Sequence, residues 1–385
     1  MVPSPETAAM NADLRIVDLE LDHFRSYSRY ELHGIGALTV FVGPNAIGKT
    51  NIVEAIQLVT ALASFRSSRL DEMVQWGQAS ATVRAHMVSD VRDLDVRADL
   101  RPGHKGYSLN GKKKAAQDLQ GLLPSVVFSP EDLALVKGAH AGRRAALDLL
   151  GCQLSKNHRI IKRDYEKLLR HKNSLLKDDV SGPLLESVND MLALTGSQLY
   201  RYRSALFAQL RTRVPEIYAR LVDNGETVDL VYVPSWESDE VKSLAASTPL
   251  ELPYVVEQAR ELLESAMRSR AAEEAARHRG VVGPHADHVE VFIDGRNAGT
   301  FGSQGQQRSI VLAWKIAEVE LIRSVLGVKP VLLLDDVMSE LDERRRHALV
   351  NLLLQDIQTF ITTTDASFFD REIMDRAQVH DLSER

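Results

Sequence analysis

The sequence predicts an α/β chain with an inserted helical lobe, on the strength of three observations. An unbroken β-branched run, LTVFVG from Leu38 to Gly43, leads through a glycine-bearing turn into a stretch with apolar residues at helical spacing, Ile52, Ala55, Ile56 and Val59. Far downstream, Pro330 opens a second apolar run, Val331 to Leu334, whose length and composition suit a parallel strand buried on both faces. Between these two, Arg143 to about Arg213 repeats apolar residues helically, with Leu199, Tyr202, Leu206 and Leu210 on one face.

The remaining elements follow in chain order. Leu14 to Leu32 alternates apolar and polar residues as a half-buried strand pair does. The period-two stretches TVRAHMV and LDVRADL, with the turn pair Asn110-Gly111, predict antiparallel strands beside the central sheet. A helix is expected from about Val255 to Arg279, stopped by Gly280. A strand through Val289, Val291 and Ile293 should turn at Asp294-Gly295, a helix should run from Gln306 to about Leu326, and FITTTD reads as a late strand. The expected domains are a disordered tail over 1–13, a head over 14–128 and 280–385, and a mainly helical insertion over 129–279.

Composition bounds the function. The 385 residues are 44% hydrophobic and 26% charged with a formal net charge of −6, so any nucleic-acid contact must come from local basic patches. No apolar run has the length of a membrane span, the first residues lack the pattern of a secretory signal, and the single cysteine, Cys152, reads as a packing residue in a reducing compartment. A cytoplasmic location is therefore expected.

The chemistry is carried by spaced motifs. Gly43, Pro44, Asn45, Ala46, Ile47, Gly48, Lys49 and Thr50 match G-x-x-x-x-G-K-[ST], placed between strand and helix. In that motif the glycines let backbone amides wrap the phosphates of ATP, Lys49 reaches the β and γ oxygens, and the Thr50 hydroxyl ligates Mg²⁺. VLLLDD has the form of a Walker B strand, with Asp335 on Mg²⁺ and Asp336 orienting or deprotonating the attacking water. Ser303, Gly305 and Gln306 in SQGQQ resemble an ABC signature, which meets the γ-phosphate on a partner subunit; a plain helix cap with Ser303 as N-cap is the other reading. Ser339 and Asp342 in SELD occupy the D-loop position. Together these predict an ABC-type P-loop NTPase head, a mixed sheet with flanking helices, carrying an all-helical second lobe and closing as an ATP-dependent homodimer.

The text also resembles the RecF family over nearly its whole length. The resemblance rests on Phe24-Arg25, on SFRSSRLDEMVQWG with Arg66, on VVFSPEDLALVKGAHAGRRAALD, on KLLRHKNSLLK, and on FGSQGQQRS and LLLDDVMSELD. It implies a weak ATPase of DNA replication and repair that dimerises with ATP on gapped or duplex DNA and, with RecR and RecO, helps load RecA. GPHADH departs from the family pattern at Ala286 and His288, and the switch and Q-loop positions are unassigned, Gln75 being one candidate for the latter. Between Lys156 and Lys177 eight Lys or Arg face two acids, so Lys162, Arg163, Lys167 and Arg170 are candidate DNA contacts, with a solvated helix face as the alternative. The arginines 201, 203, 211 and 213 form a second candidate stripe, and Arg143 and Arg144 could pair with acids. A transport-coupled ABC ATPase and a non-hydrolysing nucleotide-binding scaffold are the competing functions.

Overall fold

Val331–Asp335 is buried at every position, as its uninterrupted apolar text requires, because strands pair with it in parallel on both sides. This is seen in a computed structural model that describes residues 14–66, 69–222, 224–237, 254–338, 342, 345–346, 349–350, 357–365, 369 and 371–383. The expected tail over 1–13 lies outside the described residues. The chain divides into two compact units, Met1–Asp132 with Glu318–Arg385, and Leu133–Ala317.

The strands in chain order are β1 (Arg15–Phe24), β2 (Tyr27–His33), β3 (Leu38–Val42), β4 (Ala81–Ser89), β5 (Arg92–Arg101), β6 (His104–Leu109), β7 (Lys112–Lys114), β8 (Ser125–Phe128), β9 (Val228–Val233), β10 (His288–Ile293), β11 (Arg296–Asn297), β12 (Val331–Asp335), β13 (Thr359–Thr363) and β14 (Gln378–Asp381). The main helices are α1 (Lys49–Thr60), α2 (His140–Leu154), α3 (Lys156–Lys177), α4 (Pro183–Val222), α5 (Val256–Ser269) and α6 (Gln304–Leu326).

The first unit holds two sheets. One is parallel, in the order β14-β3-β13-β12-β8, and the other antiparallel, in the order β2-β1-β4-β5-β6-β7. Helix α1 buries Ile52, Ala55, Ile56 and Val59 in a core shared with Leu333 and Phe360 of the parallel sheet and Val83 and Ala85 of the antiparallel one. Asn110 and Gly111, at φ 49° and 75°, make the tight β6–β7 turn that their pairing predicts. The sheet ladder is extended at one edge by β14, whose mixed text QVHD gives no alternation to read.

The second unit is built on α3, α4 and α5, with Tyr165, Leu192, Leu199 and Leu263 in its core. The expected lobe boundary at 279/280 differs from the observed division at 317/318. The cause is strand pairing: β10 lies antiparallel to β9, which keeps the chain beyond 280 with the helical unit. The single helix expected over Val255–Arg279 is broken into Val256–Ser269 and Ala271–Arg277, and stops at His278 in the left-handed region, φ 49°.

Buried polar groups knit this unit together. Arg203, expected on a surface stripe, is buried instead: its Nε and Nη2 donate to the Asp148 carboxylate at 2.8 and 2.7 Å, and Nη1 donates to Pro284 O at 2.5 Å. Asp148 also lies 3.1 Å from His158 Nε2, and these partners hold its carboxyl below the usual range against the opposing cost of burial. The GPHADH segment belongs to the same interior. Tyr165 OH donates to His285 Nδ1 at 2.6 Å, and the buried Asp287 accepts from Tyr232 OH and from Ser235 N. Gly283 is required here, since φ 136° is closed to other residues and an added Cβ would strike Tyr165 OH. Arg143 and Arg144 do not pair chiefly with acids. Arg143 donates to the carbonyls of Val289, Leu135, Val136 and Gly138, and Arg144 to that of Asp287. Cys152 is a packing residue as expected, its thiol pushed up to about 11 by burial.

Acid should loosen this unit through His285. Burial lowers its imidazole from 6.5 to about 4, so the folded chain refuses a proton that the unfolded chain accepts. The stabilisation is complete above pH 6.5 and lost as pH falls toward 4, amounting to about 3 kcal/mol. Asp287, raised by burial, works in the opposite direction as its carboxyl protonates and offsets part of the loss. Urea titrations at pH 7 and 4.5 should show the midpoint falling, with a smaller fall in His285→Gln; an equal fall in both would remove His285 as the cause.

Candidate functional site

The glycine-bearing turn and the double-aspartate strand, far apart in sequence, meet at the C-terminal edge of the parallel sheet. β3 and β12 are separated there only by β13. Thr50, in the first turn of α1, donates its hydroxyl to Asp335 Oδ1 at 2.9 Å. The Lys49 ammonium donates to Gly43 O at 2.6 Å and Pro44 O at 2.8 Å, which commits two of its three protons to the loop. Its pKa is lowered by burial and supported by Asp336 and Asp335, so both carboxylates act on this cation.

The loop's conformation depends on left-handed backbone. Ala46 has φ 66°, and Gly48, at φ 110°, is the N-cap of α1. A Cβ on Gly48 would lie 2.9 Å from both Ser26 Oγ and Tyr27 OH, so only glycine fits. No side chain caps α1, and its first turn carries no acid, which leaves the positive end of a twelve-residue helix facing the loop. Pro44, Asn45 and Ala46 are exposed, Gly43 is buried, and Ile47 packs partly against the core.

Thr362, in the Thr362-Thr363-Thr364-Asp365 stretch where the unassigned switch position falls, organises the acidic side. Its hydroxyl donates to Asp335 Oδ1 at 2.7 Å, and Asp336 N lies 3.0 Å from Thr362 Oγ1 and 3.2 Å from Thr362 O. Asp335 thus accepts from two threonines, yet burial outweighs those bonds and raises its pKa. Asp336 has φ 52°, an unusual conformation for a non-glycine residue directly after a strand. A hydroxyl and a carboxylate this close, beside a second carboxylate, form an all-oxygen donor set that suits a hard divalent cation such as Mg²⁺.

A stability gain is expected when Asp335 is neutralised. A raised carboxyl contributes least once ionised, so its burden is absent in acid and full at neutral pH. Asp335→Asn keeps an oxygen for Thr50 and Thr362, and should stabilise the nucleotide-free chain at pH 7.5 by roughly 0.5–2 kcal/mol. A thermal melt of both proteins checks this, and a lower Tm in the variant would contradict it.

Other expected residues are distributed as follows. Arg25, at φ 53°, makes a two-pronged salt bridge to the buried Glu54 of α1 at 2.9 and 2.7 Å, and Arg66 donates to Asn51 at 2.8 Å. Together with Ser26 and the fully exposed Trp76 they line an open hollow of about 410 Å³ that reaches Asn51 of α1. Gln75 is not on a helix; its amide donates to Ser28 Oγ at 3.1 Å and its carbonyl lies 3.2 Å from His23 Nδ1.

In the second unit Ser303 and Gln306 cap α6 reciprocally, Gln306 N donating to Ser303 Oγ at 3.2 Å and Ser303 N donating to Gln306 Oε1 at 2.7 Å. Gln306 Nε2 donates to Glu226 Oε1 at 2.8 Å, and Gly305 lies in the first turn. The helix-cap reading is therefore realised, with the Ser303 side exposed. Asp342 accepts from Arg345 N at 3.0 Å, and Ser339 lies outside the described residues. On α3, Lys156, Arg163, Lys167, Arg170 and Lys177 are exposed, spaced to share one face, whereas Lys162 is half-buried beside Glu166 and Lys172 is buried against Glu274 at 2.6 Å.

Residues 15–379 match the family model described as the RecF/RecN/SMC N terminal domain. The fold is that of the ABC-type ATPase heads: an Smc head domain from Pyrococcus furiosus, 16% identical, superposes with a TM-score of 0.52 over 97% of this chain and 94% of that one. Two solved structures of the recombination mediator protein RecF in the RecFOR pathway, described as RecF-ATPrS and RecF-ATP, align with TM-scores of 0.82 and 0.83 at 29% and 28% identity. They cover 93% of this chain and 95% and 94% of theirs. The DNA replication and repair protein RecF of Synechococcus sp. (strain JA-3-3Ab) is 37% identical over 94% of both chains. That of Heliobacterium modesticaldum is 35% identical over 95% of this chain and 97% of its own. The chain belongs to the RecF family of DNA replication and repair proteins. No described helix is long and apolar enough to cross a membrane.

Proposed function

We propose that the chain is an ATP-dependent DNA-binding mediator of replication and repair, in which slow ATP hydrolysis releases a nucleotide-closed dimer. The observation that carries this reading is the meeting of Lys49, Thr50, Asp335 and Asp336 around one loop. In it, the residues Gly43 to Thr50 cradle the phosphates, and the hollow beside Arg25, Arg66 and Trp76 takes the nucleoside. Thr50 and Asp335 hold Mg²⁺, which neutralises phosphate charge when bound. Asp336 orients the attacking water and accepts its proton, while Thr362 fixes the strand end from which Asp336 projects.

Ser303, Gly305 and Gln306 then meet the γ-phosphate held by a second copy, with Ser339 and Asp342 at the seam. A capped, well-ordered helix start is compatible with that role, because Ser303 keeps an exposed side. The exposed face of α3 formed by Arg163, Lys167 and Arg170 meets DNA phosphates with little sequence preference, with Lys162 at its margin. The likeness to RecF of the RecFOR pathway supports RecR and RecO as partners in loading RecA at single-strand gaps.

Light scattering during titration with gapped duplex DNA, with and without ATP, tests the reading. Dimers should form with ATP and persist in Asp336→Asn, which binds ATP but does not release phosphate. DNA affinity should fall with added salt, and more gently in a variant carrying Arg163→Gln, Lys167→Gln and Arg170→Gln. A monomer at saturating ATP and DNA would end the proposal.

A further inference from the structure

Away from the nucleotide residues, among the described residues, one group of side chains has the makings of a transition-metal site: His140, His288 and Glu290, all in the second unit. His140 is the first residue of α2. His288 and Glu290 occupy alternate positions of β10 and so project from the same face of the strand. The candidate donor atoms of the three lie within 4.8 Å of one another, and all three residues are half-buried, so an ion could reach them from solvent.

The surroundings prepare two of these groups as ligands. His140 Nδ1 lies 3.1 Å from Val289 O, and a proton donated there leaves the lone pair on Nε2, 3.4 Å from Glu290 Oε1. A backbone carbonyl fixing the outer nitrogen in this way is the usual support for a metal-bound imidazole. Glu290 is oriented too, since its Oε2 accepts from Asn297 Nδ2 at 3.0 Å, which turns Oε1 to the ring. The His140 and His288 rings lie nearly parallel, centroids 4.1 Å apart and planes at 10°.

Arg143 is the cation nearest to the group. Its Nη2 is 3.2 Å from His140 Nδ1 and 3.9 Å from Glu290 Oε2, but the guanidinium is committed mainly to the carbonyls of Val289, Leu135, Val136 and Gly138. Arg143 and Val289 therefore favour opposite tautomers of His140. A metal on Nε2 selects the one that donates to Val289.

We propose that His140, His288 and Glu290 bind Zn²⁺ through two imidazole nitrogens and one carboxylate oxygen, with water completing a tetrahedron. Two nitrogens and one oxygen suit Zn²⁺ better than Ca²⁺ or Mg²⁺, which take oxygen sets. Zinc bonds of about 2.0–2.1 Å bring tetrahedral ligands to about 3.4 Å from one another, and since the ion lies in the plane of each imidazole that binds it, one of the two stacked rings must turn out of the stack to close the site. The ion would tie the start of α2 to β10, and the site owes nothing to the nucleotide reading.

Equilibrium dialysis of the nucleotide-free full chain against ZnCl2, with metal content measured afterwards, tests this. One high-affinity Zn²⁺ per chain is expected, weakened at least tenfold in both His288→Asn and Glu290→Gln. Glu290→Gln keeps the acceptor for Asn297, so its fold should be intact, as a metal-free melt will show. Zn²⁺ should raise the Tm of the parent protein and leave that of the variants unchanged. Co²⁺ in its place should give visible d–d bands without a thiolate charge-transfer band. No retained zinc would overturn the proposal, because His140 and Glu290 would then be a simple hydrogen-bonded pair. Equal retention by both variants would also overturn it, assigning the zinc to other groups among the twelve histidines.

Discussion

Lys49→Ala is expected to weaken ATP binding by roughly thirty-fold to several thousand-fold, the equivalent of about 2–5 kcal/mol for truncating one partner of a buried charge pair. Lys49 is nearly inaccessible, and Asp335 and Asp336 already act on its charge. With the ammonium gone, the buried Asp335 and the half-buried Asp336 carboxylates lose their cation, and the phosphates would meet them uncompensated. The side chain also bridges two loop carbonyls, so the variant should lose some loop order as well as charge. Calorimetric titration with ATP and Mg²⁺ measures the first effect. Asp336→Asn is the comparison, since it should retain affinity while losing turnover. Unchanged affinity in Lys49→Ala would show that the nucleotide sits elsewhere.

The second large effect concerns folding. Arg203→Ala should destabilise the second unit by about 3–5 kcal/mol, because it leaves the Asp148 carboxylate buried without its main partner. It also removes the donor to Pro284 O in the GPHADH segment, beside His285 and Asp287. The chain contains two units, so the loss should appear as a separate early transition in chemical denaturation rather than a uniform shift. Arg203→Met combined with Asp148→Leu should recover much of the loss, since hydrophobic replacements for a buried pair are often tolerated. A single variant as stable as the parent would mean that the pair contributes nothing.

The nucleotide loop and the double-aspartate strand were legible because their chemistry is local: a glycine where only glycine fits, a lysine, a hydroxyl, and an apolar run ending in acids. Thr362 was not legible in the same way. Its role depends on β12 and β13 lying side by side, and nothing within FITTTD reveals that its third residue will face Asp335. Arg203 was misread for a related reason, since helical spacing gives the direction of a side chain along α4 but not the Asp148 that awaits it on α2. β8 and β14 span four residues each, too short for periodicity to declare them. The lobe boundary was placed too early because the pairing of β10 with β9 joins residues on either side of α5.

The strand that launches the phosphate loop has neighbours made very late. β3 is paired by β13 on one side and β14 on the other, and Leu382 N donates to Val42 O at 2.8 Å, directly before Gly43. Gln358, just ahead of β13, bonds to Ile16 across 342 residues of sequence. During synthesis, then, β3 emerges early with both edges unpaired and waits through most of translation for its partners. A ribosome-bound nascent chain is thus unable to complete its loop, and the two edges of β3 stay open to mispairing throughout this interval.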